Sequence, residues 1–256
     1  MCRSVDLHRA VLARNDEHAT ALRRYLDGRG TVVVNLMSSP GSGKTELLEA
    51  LLTRARERGT TVAAVTADLA TENDARRLAR SRAPVRQILT DGLCHLEASM
   101  LQARLEPWLP EGTRLLFVEN VGNLVCPASY DLGETLRIVL VSVTEGEDKP
   151  LKYPAAFGLA QIVVVTKTDL ADAVGFDRPA FLDGVRQVNP GVPVVETSAR
   201  TGAGVAALLA RVLAHADGDA VPHTPVLAAR HEAHLHHHDH ETPALPTPAT
   251  GPAVPS

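Results

Sequence analysis

Between residues 31 and 215 the chain alternates short, nearly continuous apolar runs with stretches whose apolar positions recur every three or four residues. The runs are TVVVNL (31–36), TVAAVTA (61–67), VRQIL (85–89), RLLFVE (114–119), RIVLVSV (137–143), QIVVVT (161–166) and VPVVE (192–196), with VRQIL the weakest. Runs rich in Val and Ile without polar alternation are what strands buried on both faces of a parallel sheet require. The stretches Lys44–Glu57, Asn73–Ser81, Leu96–Leu105, Arg178–Val188 and Gly204–Ala214 carry helical periodicity. Strand–helix alternation of this kind predicts an α/β fold, a doubly wound and mostly parallel sheet. Ahead of it, residues 5–27 read as one helix with Leu7, Val11, Leu22 and Leu26 near one face, broken by Gly28 and Gly30. The predicted organisation is an N-terminal helix (1–30), one α/β domain (31–216) and a tail (217–256).

The tail changes character from about Asp217. It gathers His231, His234, His236, His237, His238 and His240 among acidic residues, then runs out in Pro, Ala and Thr. With little to bury, it is expected to be disordered. Composition mainly excludes. Aromatics are 3% of the chain, so the core must be aliphatic. A net charge of −4 leaves no footprint for nucleic acid or an anionic membrane. No apolar run approaches the roughly 20 residues of a bilayer span. Charge throughout the first 18 residues leaves no room for a signal-peptide core, so a cytoplasmic protein is expected. Cys2, Cys94 and Cys126 cannot form a disulfide framework, and in a reducing compartment such thiols are free to take metal.

The first chemistry follows the first strand. Ser38-Ser-Pro-Gly41-Ser42-Gly43-Lys44-Thr45 matches the phosphate loop G-x-x-x-x-G-K-[ST] with Ser38 for the first Gly. Small residues let successive backbone N–H groups turn inward around phosphate, Lys44 reaches the β- and γ-phosphates, and Thr45 binds Mg²⁺. The helix starting at Lys44 adds its positive end to the same anion. A plain Gly-rich turn is the alternative, but strand, loop, G-K-T and helix in this order argue against it.

Two later strand exits choose the base. Thr166-Lys167-Thr168-Asp169 resembles the N/T-K-x-D element, whose carboxylate accepts from guanine N1–H and the exocyclic amine. Ser198-Ala199-Arg200 resembles the S-A-K loop whose backbone contacts guanine. Together they favour GTP and GDP over ATP. Glu119-Asn-Val-Gly122 stands where D-x-x-G is expected: Gly122 N–H faces the γ-phosphate, and Glu119 holds Mg²⁺ or orients water. Asp68 is a second Mg²⁺ or water-orienting candidate, and Thr71, Asn73 and Asp74 fall in the expected first switch. Asn123 follows Gly122 where fast GTPases carry a water-orienting Gln, and no arginine finger is identifiable, so slow intrinsic turnover is expected.

Cys94-His95 and Cys126 bring thiolate and imidazole, which suit Zn²⁺ and Ni²⁺ and serve Mg²⁺ poorly. Buried small hydrophobes are the bland reading of these cysteines. Three ligands leave the shell incomplete, and two copies meeting on a two-fold axis complete it. Cys126 lies four residues beyond Gly122, so γ-phosphate binding there repositions the loop that carries it.

The stretches NLMSSPGSGKTELL, GLCHLEASM, ENVGNLVCPASYDLGE and VSVTEGEDKPLKYP resemble the hydrogenase nickel-incorporation GTPases, the HypB family. The resemblance covers most of residues 31–215. It implies a SIMIBI-class P-loop GTPase that dimerises with GTP and delivers Ni²⁺ to the large subunit of [NiFe]-hydrogenase. It implies the small nickel-binding maturation protein HypA as a partner, Cys94, His95 and Cys126 as Ni²⁺ or Zn²⁺ ligands, and Lys44, Thr45, Asp68 and Glu119 as the Mg²⁺ and phosphate residues. Two departures stand out: Cys2 alone replaces the N-terminal C-x-x-C-G-C motif of some relatives, and the histidines follow the domain rather than precede it.

Three other readings compete. A urease-type nickel-insertion GTPase carries C-P-H, whereas Cys126 is followed by Pro127 and Ala128. A metal-storage protein with a degenerate nucleotide fold conflicts with the intact G-K-T and T-K-T-D. A P-loop kinase lacks an evident acceptor-site base. The tail is expected to store nickel, since neutral imidazoles on a flexible segment gather around Ni²⁺ without a preformed pocket. Truncation after residue 217 is therefore expected to lower the Ni²⁺ stoichiometry measured by equilibrium dialysis; an unchanged stoichiometry removes the storage role.

Overall fold

The computed structural model describes residues 2–68, 73–90, 92–225 and 227–228. The chain runs α1 (Cys2–Asp27), β1 (Val32–Ser38), α2 (Lys44–Glu57), β2 (Val62–Asp68), α3 (Asn73–Leu78), β3 (Val85–Leu89), α4 (Ala98–Leu105), β4 (Leu115–Glu119), β5 (Leu136–Ser142), α5 (Lys149–Lys152), α6 (Pro154–Gly158), β6 (Ile162–Thr166), α7 (Ala171–Val174), α8 (Arg178–Val188), β7 (Val194–Glu196) and α9 (Val205–Ala216). The strands form one seven-stranded sheet in the order β3-β2-β4-β1-β5-β6-β7, every pairing parallel. All seven apolar runs became strands, and VRQIL took an edge, where weak burial is tolerated.

Alternating side chains send each strand's residues to opposite faces. Val34, Ala64, Phe117 and Ile138 pack with Leu47, Leu48 and Leu51 of α2 and Leu208 and Leu209 of α9. Val33, Val65, Leu116 and Val118 pack with Leu22 and Leu26 of α1 and Leu101 and Leu105 of α4. Beyond β1, Val139, Val141, Val163 and Val165 meet Phe157 of α6 and Phe181 and Val185 of α8. Leu22 and Leu26 each contribute about 1.5–3 kcal/mol by burial, which ties α1 into the domain core. Val11 departs from the predicted apolar face and is 40% exposed, while its neighbour Leu12 is half-buried. Instead Asn15 and Ala19 continue the buried stripe.

The chain also does not leave the domain at Asp217. His223 Nε2 lies 2.8 Å from Asn189 Oδ1, and Leu227 packs against Gly158. The six tail histidines lie outside the described residues. No helix among the described residues is long and apolar enough to cross a membrane.

Because β4 and β5 flank β1 on opposite sides, the chain reverses direction across the sheet there. Ligands of open α/β sheets bind at such a point, beyond the carboxyl ends of the strands. A buried polar chain supports this edge from below. Asn35 of β1 donates to Glu134 Oε1 (3.3 Å), which also accepts from Arg137 Nε (2.7 Å). Arg137 in turn donates to the carbonyls of Ala128 (3.1 Å) and Tyr130 (3.2 Å). Burial alone would raise Glu134, but the Arg137 guanidinium and backbone donors outweigh it and hold the carboxyl at about 2. The stabilisation is therefore present above about pH 4.5 and lost as pH falls toward 2. Arg137→Met, which leaves Glu134 buried and unpaired, is expected to cost about 3–5 kcal/mol in urea unfolding at pH 7, and Arg137→Met with Glu134→Leu to recover most of it. A single variant as stable as the wild type contradicts this account.

Candidate nucleotide and metal sites

The loop after β1 closes over the N-terminus of α2. Gly41 (φ 76°) and Gly43 (φ 87°) supply left-handed turns that L side chains rarely adopt. Ser38, in place of the expected glycine, is fully buried and donates to the Ser39 carbonyl (2.9 Å) while accepting from Ser42 Oγ (2.6 Å). It thus uses a side chain to fix the turn. Lys149, to which the sequence reading gave no role, reaches the same loop through Ser39 Oγ (3.3 Å) and pairs with Glu145 (3.2 Å).

At the end of β4, Glu119 is 1% exposed. Its Oε1 accepts from Thr45 Oγ1 (2.6 Å) and lies 3.8 Å from Lys44 Nζ. Burial pushes the Glu119 carboxyl up, opposed by Lys44 and Thr45. Among the described residues, Oε2 is buried with no hydrogen-bond partner. A buried carboxylate oxygen left unsatisfied beside a threonine hydroxyl fits a hard cation such as Mg²⁺. Gly122 follows, and a Cβ there would come within 3.2 Å of Pro40 Cα, so a side chain would push this loop a few tenths of an ångström off the phosphate loop. The backbone of Asp68 ends β2, opposite Leu89. Thr71 lies outside the described residues.

A cavity of about 420 Å³ opens beside the loop, lined by Gly43, Thr166, Lys167, Asp169, Ala199 and Arg200 among others. Lys167 has a left-handed backbone (φ 56°), and its Nζ donates to the Gly41 carbonyl (2.7 Å), laying the aliphatic stem along one wall. Thr166 donates to the Ser42 carbonyl (2.6 Å), so its hydroxyl braces the phosphate loop rather than pointing into the cavity. Asp169 accepts from the Ser198 hydroxyl and from Arg200 Nε (2.8 Å). The Ser198 bond first, then Arg200, hold it below the usual carboxylate range. Arg200 on this carboxylate was not foreseen, since spacing does not say which way an exposed arginine turns.

The soft ligands assemble on the far side of the Gly122 loop. Among the described residues, one atom each of Cys94, His95 and Cys126 lie within 4.8 Å of one another. Cys94 Sγ is 3.7 Å from His95 Nδ1. A hydrogen bond with Cys126, then burial, raises the Cys94 thiol. Burial lowers His95, which favours the neutral imidazole that binds metal. The ring stacks on Tyr130 at 3.8 Å, and Glu97 Oε1 is 3.9 Å from Nε2. Asn123, which follows Gly122, donates to the Cys94 carbonyl (3.5 Å). The α4 helix begins at Ala98, later than the predicted Leu96, because the Leu96 N–H goes to Asn120 Oδ1 (3.4 Å).

Residues 32–196 match the family described as CobW/HypB/UreG, nucleotide-binding domain. The hydrogenase maturation factor HypB of Rhizobium leguminosarum bv. viciae is 41% identical over 208 residues, 81% of this chain and 69% of that protein. The hydrogenase/urease maturation factor HypB of Helicobacter hepaticus is 42% identical over 200 residues, 77% of this chain and 81% of that protein. The crystal structure of HypB from Helicobacter pylori in complex with nickel aligns with a TM-score of 0.76 at 35% identity, covering 83% of this chain and 98% of that one.

If Asp169 is the carboxylate that accepts from guanine, Asp169→Asn removes that charge and presents an N–H to the exocyclic amine. A loss of about 1.5–3 kcal/mol is expected, roughly 10–150-fold in GDP affinity by calorimetry. A xanthine nucleotide, which offers a carbonyl there, should lose less. Equal GDP affinity in wild type and variant would remove Asp169 from base recognition.

Proposed function

Because the chain belongs to the HypB hydrogenase maturation factors within the CobW/HypB/UreG family, we propose that it is a GTP-hydrolysing nickel metallochaperone. In this reading Ni²⁺ is its cargo, held by Cys94, His95 and Cys126, and nucleotide state controls how that site is presented. The observation that carries the proposal is the placement of the three soft ligands directly behind the Gly122 loop, which itself lies against Pro40 of the phosphate loop. Lys44 and the loop amides hold the phosphates, and Asp169, Lys167 and Ala199 hold guanine. Thr45 and Glu119, with Asp68, would hold Mg²⁺, which supplies charge neutralisation between the β- and γ-phosphates. Glu119 also keeps Lys44 turned into the site. Asn123, turned toward Cys94, is not placed to orient water, which supports slow turnover.

Three ligands from one chain leave soft-metal coordination open, and a second copy across a two-fold axis supplies the rest. Val125 (62% exposed) and Leu93 (42% exposed) flank the ligands and give that contact an apolar surface. The downstream recipient is the hydrogenase large subunit, with HypA as the nickel-binding partner. The relative named as a hydrogenase/urease factor keeps urease maturation as a second reading. Zn²⁺ suits the same donors and is the expected competitor.

Ni²⁺ affinity and molecular mass of the full chain, measured with GDP and with a non-hydrolysable GTP analogue, test this. The expected result is a nucleotide-dependent affinity, a dimer with the GTP analogue, and loss of both the affinity change and the thiolate site in Cys94→Ala with Cys126→Ala. Intrinsic turnover should stay below about 1 s⁻¹. Identical Ni²⁺ binding in all states would separate the metal role from the GTP switch.

A further inference from the structure

The two halves of the Cys94–His95–Cys126 centre come from separate loops. Cys94 and His95 lie in the bend before α4, and Cys126 caps a 3₁₀ turn at Pro127–Ser129. The bond from Asn123 to the Cys94 carbonyl is long, at 3.5 Å. A shorter bridge arrives from α1, which the sequence set apart as an N-terminal helix.

Asn15 is 5% exposed on the inner face of α1. Its Oδ1 accepts from the Ala98 N–H (2.9 Å), and its Nδ2 donates to the Asp131 carbonyl (2.8 Å). Ala98 is three residues beyond His95, and Asp131 five beyond Cys126. One amide therefore spans both ligand-bearing segments. Glu97, the N-cap of α4, makes no side-chain cap, so Asn15 caps that helix from outside.

The seat of α1 on the second segment is tight. Arg23 Nη2 lies 2.8 Å from both Asp131 carboxylate oxygens. Gly133 has φ 73°, and a Cβ there would stand 2.7 Å from the Ala19 carbonyl oxygen. The Asn35–Glu134–Arg137 chain supports the same segment from the opposite side, and Asn120 donates to Asn35 Oδ1 (3.4 Å) to extend it to the Leu96 N–H.

We propose that Asn15 is a positioning residue of the metal centre: it fixes the separation of the Cys94–His95 pair from Cys126, and so the affinity for a soft divalent ion, without touching that ion. The proposal rests on the reading of these three side chains as ligands. A helix cap alone would need only the acceptor half of the amide. The donor half, turned to Asp131, is what joins the two loops.

The test uses the full chain with GDP, the variants Asn15→Ala and Asn15→Asp, and two probes. Ni²⁺ is titrated by its thiolate charge-transfer absorption, which the tail histidines do not produce. A trivalent phenylarsenical, which bridges paired thiols, is titrated without metal. Asn15→Ala is expected to weaken Ni²⁺ by about 10–100-fold, the usual scale for an outer-shell partner, with GDP affinity unchanged within about twofold. Asn15→Asp keeps the acceptor that caps α4 and loses the donor, so it should bind Ni²⁺ and the arsenical weakly while GDP affinity again stays within about twofold. Wild-type affinity for both probes in Asn15→Asp would reduce Asn15 to a cap and overturn the proposal. If Asn15→Ala does not fold, Asn15→Asp decides alone. If the wild type shows no nickel–thiolate absorption, the ligand reading falls, and the arsenical still decides the brace: weaker bridging in Asn15→Asp upholds it, equal bridging ends it.

Discussion

The position of β1 between β4 and β5 is the constraint on which the site depends. In an all-parallel sheet every strand must be reached by a crossover, and right-handed crossovers on both faces force the chain to change direction beside its first strand. Register then does the rest. Leu36 pairs with Glu119 and Ser38 with Leu140, so the phosphate loop and the acidic end of β4 emerge at the same height. Ser142 pairs with Thr166, which sets the Thr166 hydroxyl against the back of the same loop. Three strand exits converge because the hydrogen-bond ladder leaves them no other place.

Beneath this edge runs a line of buried polar side chains. Asn35, Asn120, Glu134 and Arg137 are all buried, in a region where an unsatisfied polar group costs more than its bond returns. They are tolerated because each finds a partner, either in the next side chain of the line or in the backbones of Leu96, Ala128 and Tyr130 near Cys94, His95 and Cys126. In the proposed reading, affinity for metal and stability of the domain thus draw on the same side chains. The Gly122 loop adds a mechanical link: it touches the phosphate loop on one side and leads to Cys126 on the other. A change of nucleotide at Pro40 has a short route to a thiol.

Much of this was legible in the chain. Continuous Val- and Ile-rich runs determined a parallel α/β sheet, since strands buried on both faces allow no polar alternation. The phosphate loop, the T-K-T-D exit and the S-A-R exit were readable because each demands fixed residue types at short spacing. Cys94, His95 and Cys126 were readable as metal-ligand types, and local chemistry allowed them to be named without showing that they meet.

Tertiary structure alone decided which residues hold that meeting together. Asn15 and Asp131 are 116 residues apart, and Asn35 and Glu134 are 99, so no local pattern relates them. Ser38 looked like a lapse from a glycine consensus until its hydroxyl was seen bonded across the loop to Ser42. Thr166 opens the T-K-T-D exit, and only the fold showed that its hydroxyl turns to the Ser42 carbonyl of the loop behind it. The sequence determined the chemistry available at the strand ends, because backbone and side-chain identity act over a few residues. The fold decided which chemistry touches which, because long-range hydrogen bonds exist only once the sheet has brought their partners within 3 Å or so.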